Sequence, residues 1–229
     1  GDLRMLMAWV SRIPEEAFSR AAGACIALGS ISAWAGQAVE AERRFTQADK
    51  LLDTAERQEE STAAQVLRGT ASVMRAFLAE IAGQMNRAIE LAKKADELLP
   101  GELVMTRSLI PYILSRAYRH QGDLERAESC LDHQIRLARM AGNTWSMAGA
   151  THEKIWIRRL RGRLREAEGL LDDFDAAHRA PGAAGPIAKL IAARAEIERE
   201  RGNLEVAART AEESVQAVFR WGLPSDMCF

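Results

Sequence analysis

The side chains best suited to chemistry in this sequence are aromatic and basic residues that recur at helical spacing. Within each set the members stand four and then three residues apart, which places them on one face of a helix. The sets are Tyr112, Arg116 and Arg119, then His152, Trp156 and Arg159, and a plainer third set of Ala192, Glu196 and Arg199. Aromatic faces beside guanidinium groups suit a sugar, an aromatic metabolite, or an anion such as a carboxylate or phosphate. The alternative is structural: solvated arginines, and a Trp156 that only packs against the next repeat.

Other constellations predict neither a reaction nor a metal site. His152 and Glu153 begin a zinc-hydrolase pattern, but Trp156 stands where the second histidine is needed. Cys130 and His133 are three residues apart, and we interpret them as a buried thiol beside a half-exposed histidine. Phosphate-binding loops of the Walker and dinucleotide types are missing from the sequence. We therefore expect a binding scaffold that is not an enzyme and holds no cofactor itself.

Charge and composition narrow the classes of partner. The 229 residues carry 31 Lys and Arg against 32 Asp and Glu, so the basic excess of a nucleic-acid-binding domain is missing. The three cysteines are widely spaced, as free thiols in a reducing cytoplasm would be. The sequence contains neither an uninterrupted apolar stretch of membrane-spanning length nor an export signal. We expect a cytoplasmic protein that contacts neither membranes nor nucleic acid directly.

The elements that must position the three sets are repeated helices. A glycine recurs with a usually apolar residue two positions later, an alanine five later, and an alanine or larger apolar residue nine later. These glycines are Gly36, Gly83, Gly122, Gly162 and Gly202, at intervals of 47, 39, 40 and 40 residues. Each glycine is expected to end one helix in the left-handed conformation, with Asp123 and Asn203 capping the helices that follow. The alanine marks a close helix crossing, and the residues two and nine past the glycine form an apolar stripe.

The pattern predicts an all-α solenoid of antiparallel helix pairs that stack because one pair cannot bury both faces. We predict a single domain over 1–229, with repeats roughly at 15–58, 61–100, 102–141, 144–180 and 185–221. That gives about ten full helices and a short one near 3–11, and no strands. Pro111 lies inside a helix expected to run to about His120, so that helix either kinks there or begins near residue 110.

The glycine–apolar–alanine spacing resembles the tetratricopeptide (TPR) repeat, although the period is longer and Tyr118 alone keeps an expected aromatic. A narrower resemblance, to the large ATP-binding LuxR-type transcription regulators that include the maltose-regulon activator, rests on ordered segments over some 200 residues. These include 117–124 (AYRHQGDL), 161–167 (RGRLREA) and 198–207 (ERERGNLEVA). The TPR resemblance implies a right-handed superhelix whose first-helix side chains, ten, six and three residues before each glycine, line a concave groove.

The regulator resemblance implies a fragment of a larger bacterial protein. In that family an amino-terminal module binds ATP and a carboxy-terminal helix-turn-helix binds DNA, while the helical region takes part in inducer sensing and self-association. The expected partners are thus a small-molecule inducer, a second copy, or neighbouring domains of the parent. The alternative function, from the TPR resemblance alone, is a peptide-binding adaptor or chaperone scaffold.

Overall fold

A computed structural model of the chain describes residues 8, 12, 14–18, 20–55, 61–177 and 187–221. Over these ranges it contains ten helices of 12 or more residues, two of four residues, and no strand. In chain order they are α1 Glu15–Phe18, α2 Ala22–Trp34, α3 Ala38–Ala55, α4 Thr62–Ile81, α5 Met85–Leu98, α6 Val104–Arg107, α7 Leu109–His120, α8 Leu124–Met140, α9 Thr144–Leu160, α10 Leu164–Ala177, α11 Ile187–Glu200 and α12 Leu204–Trp221. Each of the five repeat spans holds one pair of long helices. Apart from residue 8, the short helix predicted near 3–11 lies outside the described residues, as does the segment 178–186.

The chain divides into two compact units, Gly1–Ala117 and Tyr118–Phe229, and the division falls within α7. In the first unit α2 pairs with α3, α4 pairs with α5, and the first helices α2 and α4 pack on each other. In the second unit α9 packs on both α8 and α10, α11 pairs with α12, and the first helices α9 and α11 are in contact. The same stacking of first helix on first helix therefore occurs in each unit.

Five closely similar turns each connect the two helices of one pair. The repeat glycines have φ between +69° and +84°, where residues with a Cβ are strained. After each one, the next residue donates its backbone N–H to the carbonyl five residues earlier at 2.8–3.0 Å, which satisfies a carbonyl the helix end leaves open. Asp123 accepts from the Arg126 amide at 3.0 Å, so its predicted cap is confirmed. Asn203 precedes α12 and donates its side-chain amide to Glu198 at 2.7 Å.

The alanine five residues past each glycine is buried in every repeat, as predicted. Four of the five, beginning with Ala41, are 0% exposed, and Ala207 is 8% exposed. The residue nine past the glycine is equally buried in the first four repeats, for example Phe45 and Leu131, both 0% exposed. Close crossing extends to Gly29 of α2, where a Cβ would lie 2.5 Å from the Phe45 ring. These small residues let the two helices of a pair approach each other.

The predicted apolar stripe is wrong at its edges. The residue two past the glycine is never fully buried, and Leu204 in the last repeat is 64% exposed. Ala211, nine past Gly202, is exposed as well. In α8 and α10 the corresponding surface packs against the next first helix, as Leu131 does against Ile157. Leu204 and Ala211 lie on α12, which is followed by no further first helix within the described residues.

At Pro111 the later helix start is correct. Residues 104–107 form the separate short helix α6, and α7 begins at Leu109. Pro111 is then the third residue of α7, where the backbone N–H would have had no helical partner. Separately, none of the described helices combines the length and apolar character needed to cross a bilayer.

Candidate ligand-binding face

The first-helix face consists of the side chains ten, six and three residues before each repeat glycine. Its predicted aromatic and basic members are carried by α7, α9 and α11. Tyr112 and Arg116 belong to the first unit, and the other candidate residues belong to the second.

In the second unit, Arg119 of α7 lies against α9. Its guanidinium carbon is 3.7 Å from the centroid of the Trp156 ring, a short cation–π contact. Its Nε is 3.3 Å from Oε2 of Glu153, and the two side chains are only 7% and 5% exposed. Trp156 itself remains 36% exposed. The arginine thus fixes the indole from one side while part of the ring stays open to solvent.

Arg159 makes the equivalent connection from α9 to α11. It forms an ion pair with Glu196, and its Nε and Nη2 donate to Oε1 of Glu200 at 2.9 and 2.6 Å. The Arg159 side chain is 9% exposed, whereas Glu196 and Glu200 are 49% and 30% exposed. An anionic ligand would have to displace these carboxylates to reach the guanidinium group. His152 is half-buried on α9, and Arg199 lies exposed on α11.

The first unit contains a similar contact between α7 and α4. Arg116 donates from Nε to Oε1 of Glu80 at 2.8 Å, and Glu80 is 3% exposed. The Arg116 guanidinium also lies 5.6 Å from the Tyr112 ring centroid, with Nη1 3.4 Å from the phenol oxygen. A buried carboxylate is therefore met by an arginine of the following repeat.

These contacts share one register. The residue three before a repeat glycine contacts the residue six before the next one, as in Glu80 with Arg116, Arg119 with Trp156, and Arg159 with Glu196. Within each unit, neighbouring first helices are thus offset by about one turn at these contacts. The spacing predicted the helix face of each set, whereas the carboxylates that pair with Arg119 and Arg159, Glu153 and Glu200, were not among the predicted site residues. Their signal was available, since each lies three or four residues from a candidate on the same helix.

The remaining chemical candidates have plain environments. Burial raises the pKa of the Cys130 thiol to about 11, so this thiol is protonated at neutral pH, and His133 is exposed. No group of three or more His, Cys, Asp or Glu able to hold a metal ion occurs in the described part of the chain. Two shallow concavities lie away from the first-helix face, one at Gly162–Glu166 and one on α3 around Val39. The exposed side chains of the first-helix face therefore lie on open helix surface, outside these two concavities.

Helix pairs with left-handed glycine turns, buried crossing alanines and stacked first helices define a TPR-like helical-repeat protein. The sequence model of one such family, the MalT-like TPR region, matches residues 69–227, more than two thirds of the chain. The chain belongs to this family. No curated protein and no solved structure matches this chain.

Proposed function

We propose that this chain is the ligand-sensing and self-association region of a bacterial LuxR-type, ATP-dependent transcription regulator. The observation that carries the proposal is the match to the MalT-like TPR region, combined with aromatic and arginine side chains at the inter-repeat contacts of the first-helix face. The effector site lies on this face in the second unit, centred on Trp156 and Arg159. The regulator acts in the cytoplasm, and its ATP is held by another module of the parent protein.

The contacts supply a mechanism for sensing. Arg119 links α7 to α9, and Arg159 links α9 to α11, so both arginines span a boundary between repeats. An effector that stacks on Trp156 or replaces Glu196 at Arg159 changes the relative stability of alternative repeat arrangements. Because a ligand shifts an equilibrium only through its differential affinity, the effector favours the arrangement in which these side chains reach it best. The linked modules then respond to that arrangement.

Self-association is tested at the exposed apolar residues of α12. Leu204 and Val215, 64% and 55% exposed, are eleven residues apart and therefore lie on one side of the helix. Sedimentation velocity over a range of concentrations tests this role. A Val215→Lys variant should lower the fraction of dimer. The control Gln216→Lys, at the neighbouring exposed residue, should leave that fraction unaltered. A concentration-independent monomer would remove self-association from the proposal.

Sensing is tested by a thermal-shift screen of the purified chain against sugars, sugar phosphates, aromatic acids and short diols. A compound at 100 times its dissociation constant adds about 2.7 kcal/mol of stability, which raises the melting temperature of a chain this size by roughly 5 °C or more. At least one such shift is expected. A flat screen on folded protein would contradict sensing, and capture of a single partner through its carboxy-terminal peptide would instead favour the adaptor function.

A further inference from the structure

Helix α9 carries two partly exposed tryptophans on the same side. Trp145 is 39% exposed and Trp156 is 36% exposed. Eleven residues separate them, close to three whole turns, so their Cα atoms lie about 16 Å apart along one side of the helix. Gly149 and His152 lie between them at steps of four and three residues. We call Trp145, Gly149, His152 and Trp156 the tryptophan strip.

Packing within the chain does not account for Gly149. Glycine in a helix interior destabilises the helix relative to alanine, so it needs a local reason. Gly29 and Gly69 have one, because a Cβ there would lie 2.5 Å from Phe45 and 2.7 Å from Leu99. A Cβ at Gly149 would meet nothing within 4 Å. The missing side chain therefore leaves a notch on the helix between Trp145 and His152.

The surroundings of the notch favour one class of ligand. The neighbouring Ala148 and Ala150 are 2% and 0% exposed, so the helix is firmly packed beneath the strip. Glycine lets a flat molecule approach the backbone closely, and the Trp145 indole beside the notch offers a surface for stacking. The polar atoms of the strip's side chains are limited to the His152 ring and the two indole N–H groups. A sugar needs a larger set of hydrogen-bond partners, whereas an aromatic ring needs few.

We propose that the tryptophan strip binds a planar aromatic ring, which enters the notch at Gly149 and stacks on Trp145. The inference rests on the proposed sensing function, because it concerns the same helix, and it adds the ligand class together with Trp145 and Gly149. Neither residue belongs to the first-helix face as the sequence pattern defined it.

The test uses 2-naphthoate as the aromatic probe, cyclohexanecarboxylate as a saturated ring of equal charge, and glucose as a polar ring. Binding to the whole chain is measured by calorimetry or by ligand-observed NMR. Naphthoate should bind at least tenfold more tightly than the other two. Trp145→Ala should weaken it about tenfold, the upper range of an aromatic stacking contribution. Gly149→Ala should weaken it severalfold by filling the notch.

Gly169→Ala is the matched control. Gly169 is an exposed glycine inside α10, and a Cβ there also meets nothing within 4 Å. Both glycine variants should raise the melting temperature by about 2 °C, which shows that both fold, while only Gly149→Ala weakens naphthoate binding.

Equal binding of naphthoate and cyclohexanecarboxylate, or equal behaviour of the two glycine variants, would overturn the inference. If naphthoate does not bind, but another compound binds and its binding is lost in Trp156→Ala, this inference fails and the sensing proposal stands. If no compound binds, both fail.

Discussion

Removing the Glu153 carboxylate should strongly destabilise the second unit. Arg119 and Glu153 are 7% and 5% exposed, so a Glu153→Ala variant leaves a buried guanidinium group without this carboxylate. Breaking a buried ion pair by deleting one partner typically costs about 3–5 kcal/mol. The Trp156 ring, 3.7 Å from the guanidinium carbon, still stabilises the cation, so we expect the lower end, about 3 kcal/mol.

Thermal and urea unfolding measure this loss. At about 2–4 °C per kcal/mol for a chain of this size, the melting temperature should fall by roughly 9 °C. The control is Glu166→Ala. Glu166 pairs with Arg158 and Arg163, but its side chain is 53% exposed. An exposed pair contributes little, so this control should change the free energy of unfolding by less than about 1 kcal/mol.

A double variant separates the charge from the packing. The double variant Arg119→Met with Glu153→Leu removes both charges from this contact. It should recover most of the lost stability, because apolar residues of similar volume often replace a buried ion pair without penalty. If Glu153→Ala costs less than about 1 kcal/mol, or if the double variant is no more stable than the single one, the buried pair does not determine the stability of this boundary.

Three further results are expected. Hydrogen bonds from Arg43 lower the pKa of Glu40 to about 2. The ionised Glu40 carboxylate therefore stabilises the fold fully above its ordinary pKa of 4.5, and this contribution is lost as the pH falls from 4.5 to 2. Urea unfolding at a series of pH values should show that the free energy of unfolding falls less steeply with acid in Glu40→Gln than in the wild type. Gly29→Ala should lower the free energy of unfolding by about 1–3 kcal/mol, because its Cβ would lie 2.5 Å from the Phe45 ring. Gly122→Ala places a Cβ at φ +79° and should cost about 1 kcal/mol in the same assay, although the position is sterically open.

The helix pairs and their turns could be predicted because both depend on local chemistry. A glycine needed at positive φ and an alanine needed at a close crossing leave marks at fixed sequence positions, and the structure confirms them at Gly122 and Ala127. The start of α7 could not be predicted, since Pro111 is compatible with a kink or with the first turn of a helix.

The contacts between first helices could not be predicted from the sequence, for a different reason. Spacing along one helix defines a face, but the partner of Arg159 depends on how far α11 is displaced along its axis relative to α9. That displacement of about one turn, which brings Glu196 to Arg159, follows from the packing of whole helices. The exposed surface of α12 depends in the same way on which helix adjoins it.

The most direct test of the sensing proposal titrates an effector from the screen into the wild type and two arginine variants. Arg159 and Arg161 lie at the end of α9 and both form ion pairs, but Arg161 pairs with Glu128 of α8, away from the first-helix face. Arg159→Ala should weaken effector binding at least tenfold, while Arg161→Ala should leave the dissociation constant unchanged. Equal dissociation constants in all three proteins would contradict an effector site at Arg159.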